Sequence, residues 1–242
     1  MDSDYQPRVY RSDNGAEDLV AWRVVVAETD LHVQAECHLR EACRAAAREA
    51  RAQVEREIAR RPEFVTSLHP LEATGDAPEV VAHMYLAAAT AGVGPMAAVA
   101  GAIAEYVGEA LRAHSAQVIV ENGGDLWLAT TRERVVAIRA GQSPLSGRVG
   151  LVLAPGTRTG VCTSSGTVGP SYSAGRADAA VVVAPDAALA DAAASGVGNR
   201  VMRPEDAEEA VQWARGLPGV TGAVVVCGST LAAGGAVQLR RL

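Results

Sequence analysis

The sequence predicts an α+β fold, with antiparallel or mixed sheets packed against helices. Two runs within residues 18–36 alternate apolar and polar side chains with period two, as a half-buried strand pair does. Residues 38–60 carry a helical stripe instead. After that, short strands and helices come in mixed order, without the regular strand–helix alternation of a doubly wound parallel sheet.

The first hairpin pairs Val20, Trp22, Val24 and Val26 with Leu31, Val33 and Ala35, around Glu28-Thr29-Asp30. In the helix that follows, Leu39, Cys43, Ala46, Ala50, Val54 and Ile58 form the apolar face. The intervening Arg and Glu residues form the solvated one, and Pro62 ends the helix. Pro78 opens another helix, which runs to Ala91. Past Gly92-Val93-Gly94, Pro95 begins a further helix over 96–114, with Met96, Val99, Ile103, Tyr106 and Leu111 as its stripe. Strands are expected at 117–120, 126–130, 134–139, 149–153, 159–163, 179–184, 222–227 and 235–240, with helices over 185–194 and 204–214. Residues 1–17 read as a tail and 18–242 as one domain.

Composition narrows the function. The net charge of −6 comes without a basic cluster, which argues against nucleic acid as a partner. All 22 cationic residues are Arg. With no Lys, a Schiff-base mechanism and a Walker A phosphate loop are excluded. The four cysteines form no CxxC pair and lie at no zinc-ligand spacing, so they read as free buried thiols of a reducing compartment. Met1 to Arg11 is polar and lacks the character of a signal peptide. The apolar stretch 80–103 is broken by Gly92, Gly94 and Pro95, so two buried helices fit it better than a membrane span. A cytoplasmic protein is expected, and a homodimer follows from how commonly closed pairs occur.

Four stretches could carry chemistry. In Glu121-Asn122-Gly123-Gly124-Asp125, paired glycines between strands permit φ > 0 and let backbone N–H groups approach a phosphate or a ring edge. An Asn-Gly hairpin turn accounts for the same residues. Asp191 and Ser195 are four apart, so on a helix they share a face able to hold a hard cation such as Mg²⁺. An ordinary Asp on an Ala-rich helix is the alternative. The Cys162-Thr163-Ser164-Ser165-Gly166-Thr167 loop offers hydroxyl donors to an anion, or is a polar turn. Arg176 could clamp a phosphate or pair with Asp178. No GxSxG elbow is present to support a serine hydrolase.

Taken in order, Gly94-Pro95-Met96-Ala97-Ala98-Val99-Ala100-Gly101, Val120 to Asp125, Thr163 to Gly166 and Ala190 to Ser195 resemble the short ApbE-like proteins, relatives of the FAD:protein FMN transferases. The resemblance spans about residues 18–202. It implies an ApbE-like fold around a central ligand cleft, and a small phosphorylated ligand, FAD or FMN, held with Mg²⁺. By the same resemblance, Asp191 and Ser195 match the metal ligands, and a backbone carbonyl near Val99-Ala100-Gly101 adds to them. Gly123, Gly124 and Asp125 match the flavin-binding turn. Glu121, Asn122, Met96, Gly101, Thr163, Ser164, Ser165, Gly166 and Arg176 complete the expected ligand contacts.

The chain also departs from the transferases. Ala100 stands where they carry Lys, and Val168-Gly169-Pro170-Ser171 replaces a segment that contains a His. No His follows His114. General-base help must then come from Asp178, Asp125, His83 or water. His83 and Met84 read as a partly exposed His and a packed Met, with ligand contact as the alternative. Trp127 reads as core, or as a cover over a ring. Three functions stay open: flavin transfer or phosphoanhydride cleavage, a non-catalytic cofactor carrier, and an enzyme of pterin or one-carbon cofactor metabolism.

Overall fold

A computed structural model describes residue 16, residues 18–167 and residues 174–242. Its elements in chain order are β1 (Val20–Val26), β2 (Thr29–Ala35), α1 (Arg40–Arg60), α2 (Glu63–Thr66), α3 (Glu79–Ala91), a 3₁₀ turn (Pro95–Ala98), α4 (Val99–Arg112), β3 (Val118–Asn122), β4 (Asp125–Ala129), β5 (Arg134–Ala137), β6 (Val149–Leu153), β7 (Arg158–Ser164), β8 (Ala179–Ala184), α5 (Ala187–Gly198), a second 3₁₀ turn (Pro204–Asp206), α6 (Ala207–Arg215), β9 (Gly222–Cys227), β10 (Thr230–Gly235) and β11 (Gln238–Arg241). The expected α+β class holds, and every strand pair is antiparallel.

One sheet runs β1-β2-β3-β4-β7-β8-β9-β10, and a smaller one runs β11-β6-β5. The central strands of the large sheet are covered on both faces. Val118, Val120, Trp127, Ala129, Cys162 and Val182 pack with the helices. Their neighbours Ile119, Leu128, Val161, Val181 and Val183 pack with Leu151 and Leu153 of the small sheet. Strands buried on both sides need no polar face, which is why β8 and β9 read as unbroken apolar runs.

Helix α5 is enclosed by strands and helices, and its Ala187, Ala188, Ala190, Ala192, Ala193 and Ala194 are all buried. Alanine permits this because a longer side chain would hold the neighbours apart. At its start, Ala187 sits between two glycines. A Cβ on Gly160 would run into the Ala187 backbone, and one on Gly101 would run into the Ala187 carbonyl. Trp127 is fully buried against Gly108, so it is a core residue and not a lid over a ligand ring.

Several boundaries differ from expectation. The first hairpin turn is only Ala27-Glu28, because Thr29 and Asp30 already belong to β2. In α4 the buried residues include Gly101, Ala104, Val107 and Gly108, whereas Met96, Val99 and Tyr106 are half-buried. Close helix packing falls to the smallest residues, so a stripe drawn through the largest ones is displaced. Helix α5 continues to Gly198 instead of stopping near Ser195, with Gly196 making room for the Trp213 ring. The strand expected at 235–240 is β11, shifted to Gln238–Arg241, and β10 at Thr230–Gly235 is an additional strand that the sequence did not predict. Cys37 is exposed, unlike the three buried thiols, because it lies outside the core ahead of α1.

Among the described residues, no single helix is long and apolar enough to cross a membrane. The apolar stretch around Pro95 is a helix pair bent by 106°. The 1–17 tail lies almost wholly outside the described residues, as does Val168-Gly169-Pro170-Ser171.

The Ala187 wedge can be tested. Gly160→Ala should lower stability by about 1–3 kcal/mol, because the new methyl meets backbone instead of a movable side chain. Gly75→Ala, with nothing nearby for a methyl to touch, should stay within about 0.5 kcal/mol of the parent. Urea unfolding followed by tryptophan fluorescence measures both.

Candidate functional site

Gly123 and Gly124 form the two-residue turn between β3 and β4, with φ of 69° and 109°. Side chains are strongly disfavoured at such angles. A Cβ at either position would meet nothing within 4 Å, so the turn faces open space. The Gly124 N–H donates to Glu121 Oε1 at 2.8 Å. Asn122 Nδ2 donates to the Ala100 carbonyl at 3.1 Å, which ties the turn to the start of α4.

Asp125 follows the turn and points to the helical side of the sheet. Its Oδ1 accepts the Thr163 N–H at 3.1 Å. Burial pushes its carboxyl up to about 7, against the pull of the Thr163 N–H and the Cys162 thiol. Asp191, on α5, is its electrostatic neighbour. Burial holds the Asp191 carboxyl well above the usual range, and the Asp125 charge pushes it further. Cys162 is also buried here, its Sγ donating to the Ala187 carbonyl at 3.4 Å. Burial and the surrounding carboxylates raise this thiol too, so it is not a ready nucleophile.

Asp191 has a structural task as well. Its Oδ2 accepts the Gly101 N–H at 2.9 Å, in the first turn of α4. That helix has no side-chain cap of its own, so Asp191 supplies one from another helix. The arrangement is reciprocal. Glu105 of α4 accepts the N–H of Ala187, the first residue of α5, at 2.7 Å. Burial, then the nearby Asp186, raises the Glu105 carboxyl to about 7.

The structure therefore brings Gly123, Gly124, Asp125, Thr163, Gly101 and Asp191 together. Ser195 lies one turn beyond Asp191 and is half-buried. Met96, Ser164 and Ser165 are half-buried, and Gly166 is exposed. Asp178 is engaged at the same end of the sheet: Oδ1 accepts from the Thr167 hydroxyl at 3.1 Å and Oδ2 from the Gly228 N–H at 2.7 Å. Arg176 is exposed, and its N–H donates to the Val201 carbonyl. His83 is half-exposed on α3 while Met84 is fully buried, as expected. Glu105 was not expected at all. It lies in an Ala-rich helix with ordinary spacing, and only the packing of α5 on α4 gives it a role.

The profile of the family described as AbpE bacteria matches residues 11–229. The chain belongs to this family. It is 48% identical over 184 residues to a UPF0280 protein of Methanocella arvoryzae, covering 75% of each chain. A UPF0280 protein of Methanosarcina barkeri is 46% identical over 200 residues, covering 81% of this chain and 79% of that one. Among solved structures, the apo flavinyl transferase ApbE of Pseudomonas stutzeri superposes with a TM-score of 0.58 at 14% identity, over 90% of this chain and 94% of that one. The flavin transferase ApbE of Vibrio cholerae gives 0.57 at 12%, over 90% and 96%. At these identities the likeness establishes a shared ApbE-like fold.

The raised carboxyls set a pH dependence for this family member. Asp125, Asp191 and Glu105 hold protons in the folded state that they release when unfolded. Without metal, stability should therefore fall as pH rises from about 4 through about 7, where Asp125 and Glu105 lose their protons, with Asp191 contributing in the same direction. Glu105→Gln keeps an oxygen for the Ala187 N–H but cannot ionise, so it should remove on the order of 3 kcal/mol of that decline. Urea unfolding in chelator at several pH values measures this.

Proposed function

We propose that this chain binds a phosphorylated, flavin-type nucleotide together with Mg²⁺, and that its reaction is cleavage or transfer at the phosphoanhydride. The observation that carries this reading is the meeting of Asp125 and Asp191, two buried carboxyls of which the first pushes the second further up, with no cationic side chain between them among the described residues. Such a pair is costly to ionise unaided, and a divalent cation offsets that cost. The donors fit a hard ion, since they are carboxylate, hydroxyl and main-chain carbonyl oxygens. Asp191, Ser195 and the Ala100 carbonyl would hold Mg²⁺, with Asp125 beside them. When bound, the ion supplies neutralisation of phosphate charge.

The chain's own groups account for the remaining functions. The open Gly123–Gly124 turn lets a ligand come close to backbone. Half-buried Thr163, Ser164 and Ser165 offer hydroxyl donors to phosphate oxygens. Asp125, whose carboxyl burial raises when no cation is bound, is placed to accept or return a proton. The ApbE-like fold and the flavin transferases that share it support the flavin assignment.

A second reading, a carrier without turnover, is favoured by one observation. Asp178 already accepts two hydrogen bonds, and no histidine follows His114 to take over as base.

Visible absorption of the purified protein, followed by FAD with and without Mg²⁺ and an assay for AMP, tests both readings. Flavin bound with AMP released supports the first, and flavin bound without AMP supports the second. Failure to bind FAD or FMN at any Mg²⁺ concentration rejects the flavin. Asp191→Asn keeps an oxygen for the Gly101 N–H but loses the charge. It should weaken Mg²⁺-dependent binding about 10–100-fold while the fold survives. Unchanged Mg²⁺ dependence would reject the metal assignment.

A further inference from the structure

One helical turn along α4 from Gly101, a second group of ionisable side chains borders a cavity of about 90 Å³. Glu79, His83, Glu105, Tyr106, Glu109 and Arg158 line it. One donor atom from each of His83, Glu105 and Asp186 lies within 4.8 Å of the other two, and His83 Nδ1 is 3.9 Å from Asp186 Oδ2. The three come from separate elements: His83 from α3, Glu105 from α4, and Asp186 from the residue that caps α5.

We propose that His83, Glu105 and Asp186 bind a divalent transition-metal ion of the Zn²⁺, Co²⁺ or Mn²⁺ class, at a site separate from the oxygen donors around Asp191.

Both carboxylates are already positioned by backbone. Glu105 spends Oε2 on the Ala187 N–H, and Asp186 spends Oδ1 on the Leu189 N–H. Each keeps one oxygen to give, and on Asp186 that is the oxygen nearest His83. Hydrogen bonds of this kind fix ligands ahead of the metal. Bound donors stand about 2.0–2.2 Å from such an ion, which needs His83 and Asp186 to close by roughly half an ångström. Both are partly exposed and can move that far.

The cavity has room for an ion and several waters. Its charge also suits a cation. Glu79, Glu105 and Glu109 face Arg158 as the one Arg in the lining, and Glu109 already takes that guanidinium at 2.5 Å. An imidazole with two carboxylates selects for these metals, whereas Mg²⁺ prefers an all-oxygen shell. Three protein donors beside a cavity leave positions open for water or for an anionic ligand atom.

The test is a Co²⁺ titration of the whole, chelator-stripped protein in excess Mg²⁺, read by visible d–d absorption. One Co²⁺ per chain is expected in the parent. Asp191→Asn should retain it, so the result does not depend on the flavin reading. His83→Ala and Glu105→Gln should each weaken it by at least about tenfold. His83 is half-exposed, and the Gln retains the cap on Ala187, so both variants should give the parent's circular dichroism. No Co²⁺ spectrum in the parent, unchanged affinity in either folded variant, or loss of Co²⁺ in Asp191→Asn would each overturn the site.

Discussion

The crossing of α4 and α5 depends on two carboxylates that each cap the other helix. Asp191 leaves α5 to accept the Gly101 N–H, and Glu105 leaves α4 to accept the Ala187 N–H. A helix start buried in a core has donors that water cannot reach, and each unmet one costs about 1–3 kcal/mol. Exchanging caps solves that for both helices. It also fixes their relative slide, because each contact sets one end of the crossing.

The same exchange loads the interior with acid. Burial raises Glu105 and Asp125 to about 7 and holds Asp191 well above the usual carboxylate range. A core made of alanine, glycine and valine gives these groups little to polarise. The interior is therefore most stable when these groups are protonated. Backbone approach and charge demand arise from one choice of residues: small side chains let α5 press against Gly101 and Gly160, and that pressing buries the acids.

Much of the fold was legible in the sequence. The first hairpin, α1 and α3 follow from periodicity, and Pro78 and Gly92 mark the ends of α3. What failed shares one cause, the small residues. Ser195-Gly196 reads as a helix stop, yet Gly196 is needed where Trp213 packs. Leu231 to Gly235 lacks β-branched side chains, so β10 carries no strand signal in the sequence. Of the site, Gly123–Gly124 carried its own turn signal. Asp125 and Asp191 were joined only by resemblance to a family, since 65 residues of intervening chain hide their proximity. Glu105 and Asp186 carried no pattern that marked them, because their meaning lies in which N–H each one faces.

The confinement of α5 has a consequence for how the molecule can change over generations. Its alanines have neighbours on every side, so nearly any larger replacement forces layers apart. That helix is closed to gradual variation. Substitution is easier at the rim, in the half-buried Met96, Val99 and Ala100 and in Ser165 to Thr167 after β7, where bulk can be added without moving a strand. The architecture separates a rigid scaffold from a pliable border.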